Sequence, residues 1–157
     1  MNNNNHITVE PKDVIILILG IQNEIVGFTR FVKYLFLASQ NDIFGKNEPS
    51  IDWKAHHYGP YWEGFDSVIK SLECDRLLKL ETINSLSGRS VAKFSITIKG
   101  RKYFQDLYQQ YENELNDLTP LIKFHQKKSL IDLLKFVYEN YPEFSTRPRL
   151  REAVLEI

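Results

Sequence analysis

One cysteine, Cys74, and one methionine occur in 157 residues. A single thiol excludes an internal disulfide and a cysteine-built zinc site, and it suits a reducing compartment. Glycine and proline are sparse, at 7 and 6, which excludes a collagen-like or low-complexity chain. Net charge is missing too, because 20 Lys plus Arg balance 20 Asp plus Glu. That argues against a surface coated in phosphate contacts, though it leaves room for a local basic patch. The longest strictly apolar run, 14–19, has six residues, against the ~20 that cross a bilayer. No charged leader followed by an apolar stretch opens the chain, so a cytoplasmic protein with no membrane contact is expected. No phosphate-cradling glycine loop, Gly-x-Ser-x-Gly, His-Glu-x-x-His or EF-hand pattern is present. The expectation is a protein that is not an enzyme and that holds no cofactor or metal.

What is there is an ordinary globular composition, 43% hydrophobic and 13% aromatic. A chain of this mass removes roughly 69% of its unfolded surface from water, enough for a core without staples. Residues 1–10 read as a flexible, Asn-rich terminus. Pro11 opens a first helix to Gln22, apolar almost all round and so buried. Residues 23–27 read as a turn. A second helix over 28–40 carries the stripe Phe28, Phe31, Val32, Leu35 and Phe36, with Arg30 and Lys33 on the other side. A loop over 41–50 and an extended piece over 51–58 precede Gly59-Pro60 and a third helix over 61–74.

The period then changes to two. Strands are expected at 77–83 and 92–98, joined by a loop with Gly88. From Lys99 helical spacing returns, with a long helix to about 117. Thr119-Pro120 reads as a cap and a first-turn proline opening a short helix. Ser129 with Asp132 resembles a capping box for a helix to about 140. Ser145 or Thr146 can cap a last helix over 147–155, where Arg147, Arg149 and Arg151 form a second basic spot.

Three helices, a hairpin and further helices follow the order of a winged helix-turn-helix domain. The stretch Phe94-Ser95-Ile96-Thr97-Ile98-Lys99-Gly100-Arg101-Lys102-Tyr103 resembles the segment where the last wing strand of PadR- and MarR-like regulators runs into the next helix. There a Thr caps the helix and Lys-Gly turns the chain out of the strand. Gly27-Phe28-Thr29-Arg30-Phe31-Val32-Lys33-Tyr34-Leu35-Phe36-Leu37 is similar to the Gly-x-Thr-x-x-x-Lys-x-x-Phe-Leu signature of the Panacea antitoxin-like group. Tyr58-Gly59-Pro60 and Tyr141-Pro142-Glu143 resemble two further motifs of that group. The resemblance implies toxin neutralisation or defence-linked regulation, with no catalytic role.

Two sets of site residues follow. From Asn84 to Tyr103 there are five bases and no acids. Arg89, Lys93, Arg101 and Lys102, with Arg30 and Lys33, are the candidates for phosphate contacts of DNA. Against them stands the solvent face of the third helix, Glu63, Asp66, Ser67, Lys70, Ser71 and Glu73, whose three acids against one base suit major-groove contact poorly. Tyr58, Tyr61, Trp62 and Phe65 are the candidates for a protein partner, such as a toxin, although at helical spacing they also read as core. Adjacent His56 and His57 point to opposite faces of an extended segment, which makes a shared metal unfavourable. Cys74 reads as a small buried hydrophobe.

The expected fold class is mostly α with a small antiparallel β-hairpin, an α+β winged helix-turn-helix with additional C-terminal helices. Its domains are a winged-helix domain over 11–103 and a helical extension over 104–157. That extension either packs on the domain or makes a homodimer. Two functions are carried forward, a DNA-binding transcription regulator and a protein-binding antitoxin or adaptor.

Overall fold

A computed structural model describes residues 9–45, 49–84 and 86–144. The first helix, α1 (Pro11–Gln22), has its proline in the first turn, where no N–H is needed. Residues 14–20 of α1 are all buried, so it has no solvent face over most of its length. Burial also reaches Val9, 1% exposed, inside the segment expected to be a flexible terminus. The 23–27 segment is more than a turn. It holds a short strand, β1 (Glu24–Val26), whose Ile25 pairs with Phe94. Helix α2 (Phe28–Gln40) follows, buried over 31–39.

Strands β2 (Lys54–His56) and β3 (Gly59–Tyr61) form a separate antiparallel hairpin with a two-residue connection, His57-Tyr58. Helix α3 (Phe65–Cys74) therefore starts four residues later than the apolar stripe from Tyr61 suggests, because Tyr61 is taken into β3. Strands β4 (Leu78–Asn84) and β5 (Ser90–Ile96) pair in register, Leu80 opposite Phe94. The resulting sheet is antiparallel with the order β1-β5-β4. Its buried residues Ile25, Leu78 and Phe94 meet Phe31 and Phe65 in the core, with Phe31 edge-on to both rings at 5.0–5.5 Å.

Helix α4 (Ile98–Gln110) is capped by Thr97, whose side-chain oxygen accepts from the Gly100 N–H. Ile98 is thus helical and 94% exposed, not the last inward residue of a strand. The expected long helix breaks at Tyr111, which separates α4 from α5 (Glu112–Gln126). Tyr111 is 8% exposed and meets Phe44 edge-on at 5.9 Å. Thr119-Pro120 caps nothing, since Pro120 lies within α5. The Ser129 hydroxyl does cap α6 (Leu130–Asn140) by accepting from the Asp132 N–H at 3.2 Å. A 3-10 turn over Pro142–Phe144 places Tyr141 and Phe144 edge-on to Phe36. The last expected helix, with Arg147, Arg149 and Arg151, lies outside the described residues.

The fold is α+β, with six helices and two small antiparallel sheets among the described residues. Helix α1 packs against α4 and α5, and α2 against α5 and α6. Leu107, Leu115, Leu118, Ile122, Leu133 and Val137 share one buried cluster with Ile15–Leu19 and Phe31. Residues 104–144 therefore pack on the preceding part as one core.

Candidate functional site

Helix α2 presents Phe28, Thr29, Val32 and Lys33 on adjoining positions, one turn apart. The β2-β3 hairpin lies across this face. Its turn is tight because Gly59 has φ +89, a conformation that L side chains avoid. A side chain at 59 would also meet the Tyr138 ring at 3.0 Å and Lys33 Cε at 3.6 Å. Between helix and hairpin is a pocket of about 280 Å³, lined by Phe28, Thr29, Val32, Lys33, His56, Tyr58, Gly59 and Tyr61. Tyr58, 57% exposed, and the exposed His56 stand at its mouth.

Lys33 is 2% exposed, and its Nζ donates to the Pro60 carbonyl at 2.9 Å. Burial alone lowers its pKa from 10.5 to about 7, because desolvation penalises the charged form. The aromatic wall is continuous. Phe28 stands 6.4 Å from Tyr61 and edge-on to Phe65 at 5.0 Å, and His56 lies 5.1 Å from Tyr61. Burial raises the Tyr61 pKa, helped by Asp66 and Glu63, so its hydroxyl stays a neutral donor.

The six basic candidates do not converge. The Arg30 guanidinium donates to the Lys128 carbonyl at 2.9 Å and the Tyr34 hydroxyl at 3.1 Å, which ties α2 to the α5-α6 connection. Lys33 is inward, where the helical spacing had placed it with Arg30 on the outer face. Lys93 pairs with Glu24 of β1 at 3.3 Å. Arg101 hydrogen-bonds the Asn23 side chain. Arg89, just before β5, and Lys102 on α4 are exposed.

The partner candidates divide in the same way. Tyr58 and Tyr61 line the pocket. Trp62 is half-buried, and its indole lies over Gly64, where a Cβ would come within 2.5 Å. Phe65 is fully buried, edge-on to Phe28 and Phe31. Asp66 and Glu73 on the outer face of α3 are exposed as their spacing predicts, and so is Glu63, which lies in the turn before the helix rather than on it. Cys74 is exposed rather than buried, because it sits on that same outer face. His56 and His57 rings meet at 4.9 Å instead of pointing apart, since the turn follows directly. Among the described residues no three His, Cys, Asp or Glu side chains cluster as a metal would need. No helix among them is long and apolar enough to cross a membrane.

Phe28, Thr29, Val32 and His56 also belong to the pocket; the sequence had placed Phe28 and Val32 in the core stripe and had weighed His56 only as a metal ligand. One signal for Lys33 was present. It is the only charged residue in the otherwise apolar run from Phe31 to Ala38, and a run longer than two helical turns has no outer face to give it. No family model matches the chain, and no curated protein matches it.

Proposed function

We propose that this chain is a non-enzymatic winged-helix module that binds a protein partner through the pocket between α2 and the β2-β3 hairpin. The winged-helix reading is supported by the order α1-β1-α2-α3-β4-β5 and by the sheet order β1-β5-β4. In it α3 is the recognition helix and the β4-β5 hairpin the wing. One observation carries the choice of partner. Tyr58, Tyr61 and Lys33 meet at one pocket, whereas Arg30, Lys33, Lys93 and Arg101 of the basic candidates are each engaged by a different protein group. An aromatic-walled pocket suits a protein contact, where a few buried anchors supply most of the affinity. The antitoxin or adaptor role implied by the Panacea-like motifs agrees with this surface. The test compares retention of a co-purified partner by Tyr58→Ala and Lys102→Glu. The reading expects loss at least tenfold in Tyr58→Ala and none in Lys102→Glu. The reverse pattern overturns it.

A second reading keeps DNA as the partner. It is favoured by the acid-free stretch from Asn84 to Tyr103, with Lys102 and Arg89 in solvent. It requires affinity for a mixed duplex to fall with salt at a log-log slope of about −0.9 per phosphate neutralised. Fluorescence anisotropy at two salt concentrations decides it, and no binding at low salt removes it.

A further inference from the structure

Lys33 is a buried cationic group with no counter-ion among the described residues. Lysines are almost never fully buried unless paired, and an uncompensated charge inside a protein is strongly destabilising. Its protein acceptor is a neutral carbonyl, that of Pro60, and none of the ion pairs among the described residues includes it. An ammonium has three N–H donors, so two are left over. The titratable groups lining the pocket with it are His56, Tyr58 and Tyr61, and none is a carboxylate.

The neighbouring wall carries a second unmet donor. The Tyr138 ring of α6 lies beside Lys33 Cε over Gly59, and its buried hydroxyl has no hydrogen-bond partner among the described residues. Buried polar groups left unsatisfied in a folded protein call for an explanation. The pocket volume of about 280 Å³ equals about nine waters at ~30 Å³ each, which is room for a small aromatic acid.

We propose that the pocket binds an organic carboxylate, which accepts the free N–H groups of Lys33 while its apolar body lies against Phe28, Tyr58 and Tyr61. The missing counter-charge is supplied by the ligand, and the aromatic wall selects acids with an apolar neighbour over inorganic anions. The proposal uses the pocket assigned above to a partner and adds the chemistry that the partner must present there. The same carboxylate can come from a free acid or from an acidic group of that partner.

Phenylacetate and its amide, phenylacetamide, are the probes, titrated by NMR into the full chain and into Lys33→Met. Charge-assisted hydrogen bonds predict at least tenfold weaker binding of the amide, and of the acid to Lys33→Met. Phenylacetate should also raise the pKa of Lys33, followed at its Cε resonance, because it pairs the ammonium. Methionine keeps the volume of the lysine stem and removes the buried charge, so the variant stays folded, and its unfolding curve checks this. Equal binding of acid and amide, equal binding by Lys33→Met, or no phenylacetate binding at about 10 mM, where even a weak site is filled, overturns the proposal. Displacement of the co-purified partner by phenylacetate assigns the carboxylate to that partner. Binding without displacement keeps the carboxylate site, assigns it to a free acid, and sinks the partner reading alone.

Discussion

Lys33 and His125 are the two buried basic side chains of the described residues, at 2% and 1% exposure, and both hold their protons weakly. In the unfolded chain Lys33 keeps its proton to about 10.5, and in the folded chain it loses it near 7. Between those values the unfolded state holds more protons, so stability rises with pH. Urea unfolding of the free protein should therefore strengthen from pH 7 to pH 9.5. Lys33→Met should be more stable at pH 7, by up to a few kcal/mol, and should lose that slope. His125 behaves likewise at lower pH. Lys128 Nζ is 3.3 Å from its Nδ1. A lysine only donates, so Nδ1 is the acceptor and the ring is neutral, with its proton on Nε2. Burial first, and then the Lys128 charge, lower its pKa from 6.5 to about 4. Protonation is easier in the unfolded chain, and stability should fall as pH drops from 6.5 to 4. His125→Leu should flatten that acid limb in the same urea series.

At this scale the sequence was readable in part. Tyr58 and Tyr61 stand out because aromatics beside Gly59-Pro60 are visible as letters. The link from Lys33 to the Pro60 carbonyl joins two motifs that lie 27 residues apart, and no local spacing encodes it. Arg30 has the same history. Its spacing marks a surface cation, and its function in the fold depends on the carbonyl of Lys128, 98 residues away.

Among the elements, α4 shows how local signals and close packing combine. Thr97 is a sequence-legible cap, and it both accepts from Gly100 and donates to the Arg76 carbonyl. Thr97→Ala should cost about 1 kcal/mol, as lost N-caps do, measured by chemical denaturation. Gly100 was expected to turn the chain. It instead sits in the first turn of α4, where a Cβ would come within 1.9 Å of the Leu77 carbonyl oxygen. Two backbones meet there, and neither can give way as a side chain would. Gly100→Ala should therefore destabilise by more than Thr97→Ala, although alanine is the better helix former by about 1 kcal/mol. Helix periodicity was legible wherever an apolar stripe ran unbroken, as in α1, α2 and α6. The break at Tyr111 was not, because the stripe continues through it and only the ring's position against Phe44 is decided by tertiary packing. The β2-β3 hairpin escaped for a similar reason. Three-residue strands carry too few positions for an alternation to show.

For the whole molecule, the central placement of α1 decides what can be separated. Its buried residues face the sheet, α2, α4 and α5 at once. A division after residue 103 follows the resemblance to a winged helix and cuts through this core. A fragment ending at residue 103 should lose the cover that Leu107, Leu115, Leu118 and Ile122 give α1. It should show no cooperative thermal transition by circular dichroism, whereas the full chain melts in one step. A fragment that melts sharply would mean that the later helices are an appendage.

The Asp13 carboxylate of α1 accepts from the Tyr103 hydroxyl, ninety residues further along the chain. Synthesis proceeds at about 5–20 residues per second. The most apolar helix of the protein therefore leaves the ribosome roughly 5–20 s before α4 and α5 are complete enough to cover it. During that interval its all-round apolar surface has no finished home, and the nascent chain is a substrate for any holdase that recognises an uncovered helix.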